Sequence, residues 1–251
     1  MKCKLCEQEK PIRNSHIIPN TFWEAVSDNI NRSVPISTEK TKLQFVQGGI
    51  KEELLCQDCE VKLSVWENTL KKDLTDIGIQ TSSFLTIQQV DNKLLHIQNI
   101  KYEKFKLGAL SILWRLSVSR DDHYKKYSLG PYEEKIRSML HHGRCPNEHE
   151  YALLLTQYRI NNTFEPGLMA GFPPGRFQND FTVQKFIVWG HMFLFIVNDK
   201  LPANIPMDCF LRENGSMYVR IGGAEELASP DSVIARIFDE DVRRKMDKLR
   251  F

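Results

Sequence analysis

The strongest constraint in this sequence is a pair of Cys-x-x-Cys units, Cys3 with Cys6 and Cys56 with Cys59, which are separated by 49 residues. Each unit can place two thiolates on one tight turn, and two such turns that meet supply four sulfur ligands in the tetrahedral arrangement of a structural zinc site. The spacing therefore predicts that a structural Zn²⁺ joins two distant parts of the chain. The alternatives are four unrelated cysteines or a redox pair.

The other two cysteines, Cys145 and Cys209, are isolated in sequence, and we predict that they are ordinary half-buried thiols. The segment CPNEH could add Cys145 and His149 as a further ligand pair, which is a weaker signal. The first residues contain no apolar segment of the signal-peptide type, so the sequence predicts a cytoplasmic protein. In a reducing compartment, paired cysteines hold a metal more often than they form disulfides.

The charge balance gives little indication of a nucleic-acid partner. Lys and Arg number 34 against 32 Asp and Glu, and the formal net charge of +2 lacks the basic excess that by itself indicates a nucleic-acid binder. The most apolar stretch, residues 186–197, is too short to cross a membrane. It predicts a buried strand pair or a core helix, and we expect no membrane partner.

Hydrophobic periodicity predicts an α+β protein with two regions. Residues 1–75 form the zinc-binding module, which includes a helix from about Asp58. Residues 76–251 form a larger mixed α+β domain. Its predicted elements are a β-hairpin at 83–100, a core helix at 104–120, a helix between Pro131 and Gly143, strands at 151–158, 181–198 and 216–223, and a C-terminal helix capped by Ser229.

The N-terminal module resembles the HNH endonucleases. The segments CKLCEQEKPIRNSHIIPNTFW and ELLCQDCEVKLSVWE are similar to the pattern in which one Cys-x-x-Cys precedes a strand ending in an H-x-x-P element. A second Cys-x-x-Cys then opens the helix of a ββα-metal finger of the treble-clef type. The resemblance covers residues 3 to about 67. It implies a metal-dependent nuclease that cleaves nucleic acid, with DNA favoured over RNA.

The resemblance assigns His16 as the general base that activates water, with Pro19 at the matching position after it. A neutral imidazole can accept a proton from water near neutral pH. The family also uses one catalytic divalent metal, here expected to be Mg²⁺ or Mn²⁺. This sequence departs from the family where Ser15 precedes the base and where Glu60 follows the second cysteine pair in place of histidine.

We therefore predict that Glu60 binds the catalytic metal, with help from Asp58 or Glu67, and that Asn14 and Ser15 orient the site. Glu60 and Glu67 are seven residues apart, so one helix face could direct both carboxylates toward the strand that carries His16. The alternative is a structural His16, with Asn14 and Ser15 capping a short helix. The protein would then be an inactive zinc-finger adaptor that binds nucleic acid or a protein partner.

In the larger region, Trp114 and Arg115 lie close in sequence to Arg120, Lys125 and Lys126. Arginine beside aromatic residues could form a nucleic-acid groove, but the same pattern is typical of a core helix with a rim of ion pairs. The whole chain is also similar to bacterial HNH-like proteins with an appended region that occur in antiphage settings. That similarity implies a role in antiviral defence, and it implies that residues 76–251 recognise a target, a protein partner or a regulatory ligand.

Overall fold

A computed structural model describes residues 1–23, 32–33, 46–47, 49–177, 180–197, 201–223 and 226. Within these ranges the chain is a mixed α+β structure with three α-helices and one large β-sheet, which confirms the predicted fold class at that level. The helix predicted to begin at Ser229 lies outside the described residues.

The N-terminal part contains short strands followed by a long helix. These elements are β1 (Ile12–His16), β2 (Arg32–Ser33), β3 (Val46–Gln47), β4 (Lys51–Cys56) and α1 (Gln57–Ile79). Strands β1 and β4 pair antiparallel, as do β2 and β3. Helix α1 follows β4 directly and ends at Gln80, whose left-handed backbone (φ 56°) stops it. Its buried Leu63, Leu70, Leu74 and Ile77 recur at helical spacing, so the predicted helix is confirmed.

The middle of the chain forms the predicted hairpin and two helices. These are β5 (Thr86–Asp91), β6 (Leu94–Gln98), α2 (Tyr102–Val118) and α3 (Tyr132–His142). The hairpin turn is closed by the Lys93 N–H, which donates to the Asp91 carboxylate at 2.7 Å. Helix α3 ends at Gly143, whose left-handed backbone (φ 70°) is one that glycine adopts without strain.

The remaining strands complete the sheet. They are β7 (Ala152–Ile160), β8 (Thr163–Phe164), β9 (Ala170–Gly171), β10 (Gly175–Phe177), β11 (Phe181–Val188), β12 (His191–Ile196) and β13 (Met217–Gly223). The strand order is β10-β11-β12-β7-β13-β6-β5, with β8 beside β7 and β9 beside β11. Only the β13–β7 pair among the described strands is parallel. The apolar stretch 186–197 lies largely in the β11–β12 hairpin, so it forms a strand pair.

Helix α2 occupies the centre of the core, and every side chain from Phe105 to Leu116 is buried. A Cβ atom on Gly108 would lie 2.9 Å from the carbonyl oxygen of Trp66 and 3.1 Å from Leu70 Cβ, so glycine allows α1 and α2 to approach closely. The Phe105 ring packs against Phe193 of β12, with ring centroids 6.2 Å apart. The helix therefore connects α1 to the sheet.

The predicted boundary at residue 75 falls inside α1, because this helix continues to Ile79. Buried residues from both predicted regions, such as Leu63 and Leu153, belong to one hydrophobic cluster. Within the described residues, the zinc-binding module and the larger region therefore share a core.

Lys106 of α2 is fully buried and holds the loop that follows α3. Its ammonium donates to the Tyr102 hydroxyl at 3.0 Å, to the Asn147 carbonyl at 2.6 Å and to the Glu150 carbonyl at 2.7 Å. Burial lowers the pKa of Lys106 to about 8. The Lys106 ammonium therefore has three hydrogen-bond acceptors but is no longer hydrated by solvent.

This lowered pKa predicts a stability that rises with pH. The unfolded lysine has a pKa of about 10.4, so between pH 8 and 10 the unfolded chain holds a proton that the folded chain has released. The free energy of unfolding should therefore increase by about 1–2 kcal/mol between pH 7.5 and 9.5 relative to the Lys106→Met variant. Denaturant unfolding of both proteins across this range measures the difference. A constant difference would show that Lys106 stays charged.

Candidate metal centre and the residues around His16

Four cysteine side chains meet at the start of α1. The Sγ atoms of Cys3, Cys6, Cys56 and Cys59 all lie within 4.8 Å of one another, and none is in a disulfide. The Cys6 and Cys56 sulfurs are 3.9 Å apart, far beyond the disulfide length of about 2.05 Å. Sulfurs on a zinc tetrahedron with bonds of about 2.3 Å lie about 3.8 Å apart. The donor set therefore fits Zn²⁺, and these cysteines could hold a zinc ion.

The first cysteine pair lies on a turn fixed by the backbone. The Cys3 N–H donates to the Gln8 carbonyl at 3.0 Å, and the Glu7 N–H donates back to the Cys3 carbonyl at 2.9 Å. The Lys4 N–H donates to the Leu54 carbonyl of β4 at 2.9 Å, which brings this turn to the second pair. That pair needs no separate turn, because Cys56 ends β4 and Cys59 lies in the first turn of α1.

Helix α3 also supports the turn of the first pair, which sequence reasoning missed. Arg137 donates from Nη1 to the Leu5 carbonyl at 2.6 Å, and its Nη2 lies 3.2 Å from Glu7 Oε2. The only sequence signal is an arginine on a helix far from the cysteines, so a three-dimensional structure was needed to find it.

The pKa values of Cys3 and Cys59 are shifted in opposite directions. Burial raises the pKa of Cys3. Backbone N–H groups near its sulfur, including that of Cys56 at 3.3 Å, lower the pKa by a larger amount, so that it lies at about 7. Burial and the neighbouring thiols raise the pKa of Cys59. Adjacent thiolates repel one another, and a divalent cation between them removes this conflict because it binds the deprotonated form.

The four cysteines are the only group of three or more His, Cys, Asp or Glu ligands found in the described part of the chain. Cys145 and Cys209 are half-buried free thiols, as predicted. The Cys145 sulfur lies 3.5 Å from the carbonyl oxygen of Pro146. The catalytic Mg²⁺ or Mn²⁺ has no such cluster among the described residues and stays a prediction.

Ser15 and Asn14 have different environments within β1. The pairing of β1 with β4 shifts between Arg13 and Asn14, and the Ser15 side chain fills this irregularity. Its hydroxyl accepts from the Leu55 N–H at 3.1 Å and lies 3.3 Å from the Arg13 carbonyl oxygen. Ser15 is 2% exposed, whereas Asn14 is exposed. Ser15 therefore stabilises the strand pair, and the described short helix at Asn20–Phe22 is preceded by Pro19 and not by Asn14 or Ser15.

His16 and Glu60 both contact the guanidinium group of Arg115. His16 is the last residue of β1, and its carbonyl accepts from Arg115 Nη1 at 3.0 Å. Arg115 Nη2 lies 3.5 Å from Glu60 Oε2 and 3.1 Å from Glu67 Oε1. Both carboxylates of α1 therefore contact the buried cation that also binds the end of β1.

The other carboxylates expected near the catalytic metal are also engaged. Glu67 accepts from the Ser111 hydroxyl at 2.9 Å, and its burial raises its pKa against the opposing effect of Arg115. Asp58 pairs with Lys10 at 2.9 Å. In contrast, Glu60 Oε1 is buried and has no hydrogen-bond partner among the described residues. It is the one oxygen of these three carboxylates that is both buried and unbonded.

The sequence left two interpretations of Trp114 and Arg115 open, a nucleic-acid groove and a core helix. Trp114 and Arg115 are 0% and 1% exposed, so both belong to the core. The core-helix interpretation is correct for them. A charged residue inside an otherwise apolar helix was the available signal, because a buried charge requires a buried partner.

The described helices include none that is long and apolar enough to cross a membrane. The chain matches no protein-family model, no curated protein and no solved structure. Function is therefore inferred from the chemistry of the residues.

We expect the Cys59→Ser variant to lose its zinc and to unfold around the cysteines, because structural zinc binding is coupled to folding. Native mass spectrometry measures the zinc content, and thermal unfolding measures the stability. The matched control is Cys209→Ser, which removes a half-buried thiol outside the cluster. This variant should keep the zinc content and the thermal stability of wild type. Zinc retained by Cys59→Ser would exclude this ligand set.

Proposed function

We propose that the chain is a zinc-stabilised, HNH-like endonuclease that hydrolyses phosphodiester bonds, with DNA as the favoured substrate. The observation that carries the proposal is the placement of His16 and Glu60. His16 ends β1, and Glu60 lies in the first turn of α1 directly after Cys59. The backbone carbonyl of His16 and the carboxylate of Glu60 both contact Arg115. A strand that ends at His16 after the first cysteine pair, and a helix that begins at the second pair, support the proposal.

In this proposal His16 accepts a proton from a water molecule as the water oxygen attacks the phosphorus atom. The bond from phosphorus to the leaving oxygen of the sugar then breaks. A Mg²⁺ or Mn²⁺ ion held by the unbonded Glu60 Oε1 would stabilise the charge on the phosphate and on the leaving oxygen. Ser15 fixes β1 against β4 and so orients the histidine that follows it. Asn14 is exposed close by and could contact the nucleic acid.

The second candidate is a catalytically inactive zinc-binding adaptor. The observation that favours it is the ion pairing of Glu60 and Glu67 with Arg115, because a guanidinium beside a carboxylate repels a second cation. In this case the larger region binds nucleic acid or a protein partner, and the zinc centre has a structural role only. Antiphage defence and a cytoplasmic location remain predictions from the sequence under both proposals.

The His16→Ala variant tests the nuclease. It should lower the cleavage rate by about 10²–10⁴-fold, the usual contribution of a general base. Folding should be preserved, because Arg115 binds the backbone carbonyl of residue 16, which alanine retains. The assay uses supercoiled plasmid, single-stranded DNA and RNA, each with Mg²⁺ or Mn²⁺.

The matched control for this assay is His149→Ala, which removes an exposed histidine outside the proposed site and should cleave at the normal rate. Equal cleavage by wild type and His16→Ala would show that His16 is not the base. Binding of DNA or RNA without cleavage under any metal would favour the adaptor.

Glu60→Gln tests the proposed metal ligand separately. The amide keeps the size of the side chain and can still accept from Arg115, but it binds a divalent cation poorly. Cleavage should fall, and the zinc content should stay unchanged because the cysteines are intact. Full activity of this variant would remove Glu60 from the mechanism while leaving the assignment of His16 open to its own test.

A further inference from the structure

Arg115 lies at a junction between the larger region and the zinc-binding module. It belongs to α2, yet its guanidinium contacts the carbonyl of His16 in β1 and the carboxylates of Glu60 and Glu67 in α1. The side chain is 1% exposed, so these contacts are shielded from water. Electrostatic contacts in such a position are stronger and more directional than on the surface.

The two residues that follow α2 also hold strand β4. The Ser119 hydroxyl and the Arg120 N–H both donate to Glu52 Oε2, at 2.9 Å and 2.8 Å. Glu52 lies in β4 directly opposite Ser15. One end of α2 therefore contacts β1, β4 and α1, the three elements that surround the proposed catalytic residues.

The two carboxylates on Arg115 differ in how firmly they are held. Glu67 is buried and also accepts from Ser111, which lies one helical turn before Arg115 in α2. Glu60 is partly exposed, and among the described residues its carboxylate is held by the longer contact to Nη2. Glu67 thus anchors the guanidinium, and the anchored guanidinium limits where Glu60 and the His16 backbone can lie.

We propose that Arg115 is a positioning residue that fixes β1 at His16 and α1 at Glu60 relative to each other, so that α2 sets the geometry of the site. The catalytic consequence rests on the nuclease proposed above, whereas the positioning itself does not. Lysine cannot replace this arginine, because a single ammonium lacks the planar fork that reaches acceptors on two sides.

The test separates positioning from a purely structural role. Arg115→Met alone leaves Glu67 buried without a cation and could unfold the protein. The double variant Arg115→Met/Glu67→Leu removes both charges and fills their space with apolar groups, a change that often preserves stability. The matched control is Lys106→Met, which removes another buried cation of α2 that contacts only the loop after α3 and Tyr102.

Two measurements are made on wild type, the double variant, Arg115→Lys and the control. Hydrogen–deuterium exchange of peptides covering residues 12–17 and 57–67 reports whether β1 and the start of α1 are held. Steady-state cleavage reports kcat and KM. In the double variant and in Arg115→Lys we expect faster exchange in both peptides and a kcat lowered by about 10–100-fold with KM unchanged, because small misplacements of reacting groups have effects of this size. The zinc content of all variants should match that of wild type. The exchange rates, kcat and KM of the Lys106→Met control should also match those of wild type.

Unchanged exchange in both peptides would overturn the positioning role. A folded double variant with normal kcat would overturn its catalytic consequence and leave Arg115 as a structural partner of Glu67. Full recovery in Arg115→Lys would show that charge alone matters and would also contradict the proposal. If wild type cleaves no substrate, the nuclease proposal fails, and the exchange data alone decide whether Arg115 positions β1 and α1.

Discussion

A helix that is buried on all faces must be covered on every side by other elements, and the Phe105–Leu116 part of α2 is such a helix. Its side chains from Phe105 to Leu116 are buried between α1 and the sheet. The transfer of so much apolar surface from water is the main favourable contribution to folding. Because the helix also carries Lys106 and Arg115, the same burial forces two cations to find partners inside the protein. The loop after α3 satisfies one of them, and the zinc-binding module satisfies the other.

Much of this fold could be predicted because its signals are local. The period of α1, the β5–β6 hairpin, the Gly143 helix end and the apolar composition of α2 each depend on a few neighbouring residues. The two Cys-x-x-Cys units also predicted that the four cysteines lie together, because two such units in one chain are typical of a shared metal site. The predicted division into two regions did not indicate that they share a hydrophobic core. Contacts between distant segments, such as those that carry Leu63 and Leu153, have no local signal in the sequence.

The surroundings of His16 could not be predicted for a different physical reason. Side-chain contacts between residues such as Arg115 and Glu67 depend on the angle at which two helices cross, and periodicity contains no information on that angle. Here α1 and α2 approach each other closely at Gly108. The helical spacing of Glu60 and Glu67 predicted a shared face correctly, but it could not show that an arginine from another helix already lies against that face.

The separation of the two cysteine pairs has a consequence for the order of events during synthesis. The pairs are 49 residues apart, so an ion bound by all four cysteines would close a long loop, and its bonds to sulfur would have to offset the entropy lost in bringing the ends together. A chain emerging from the ribosome carries the first two thiols early and the other two only after Cys59 has been made. Such an ion would therefore link the β4–α1 junction to the first cysteine pair only once the second pair has been made.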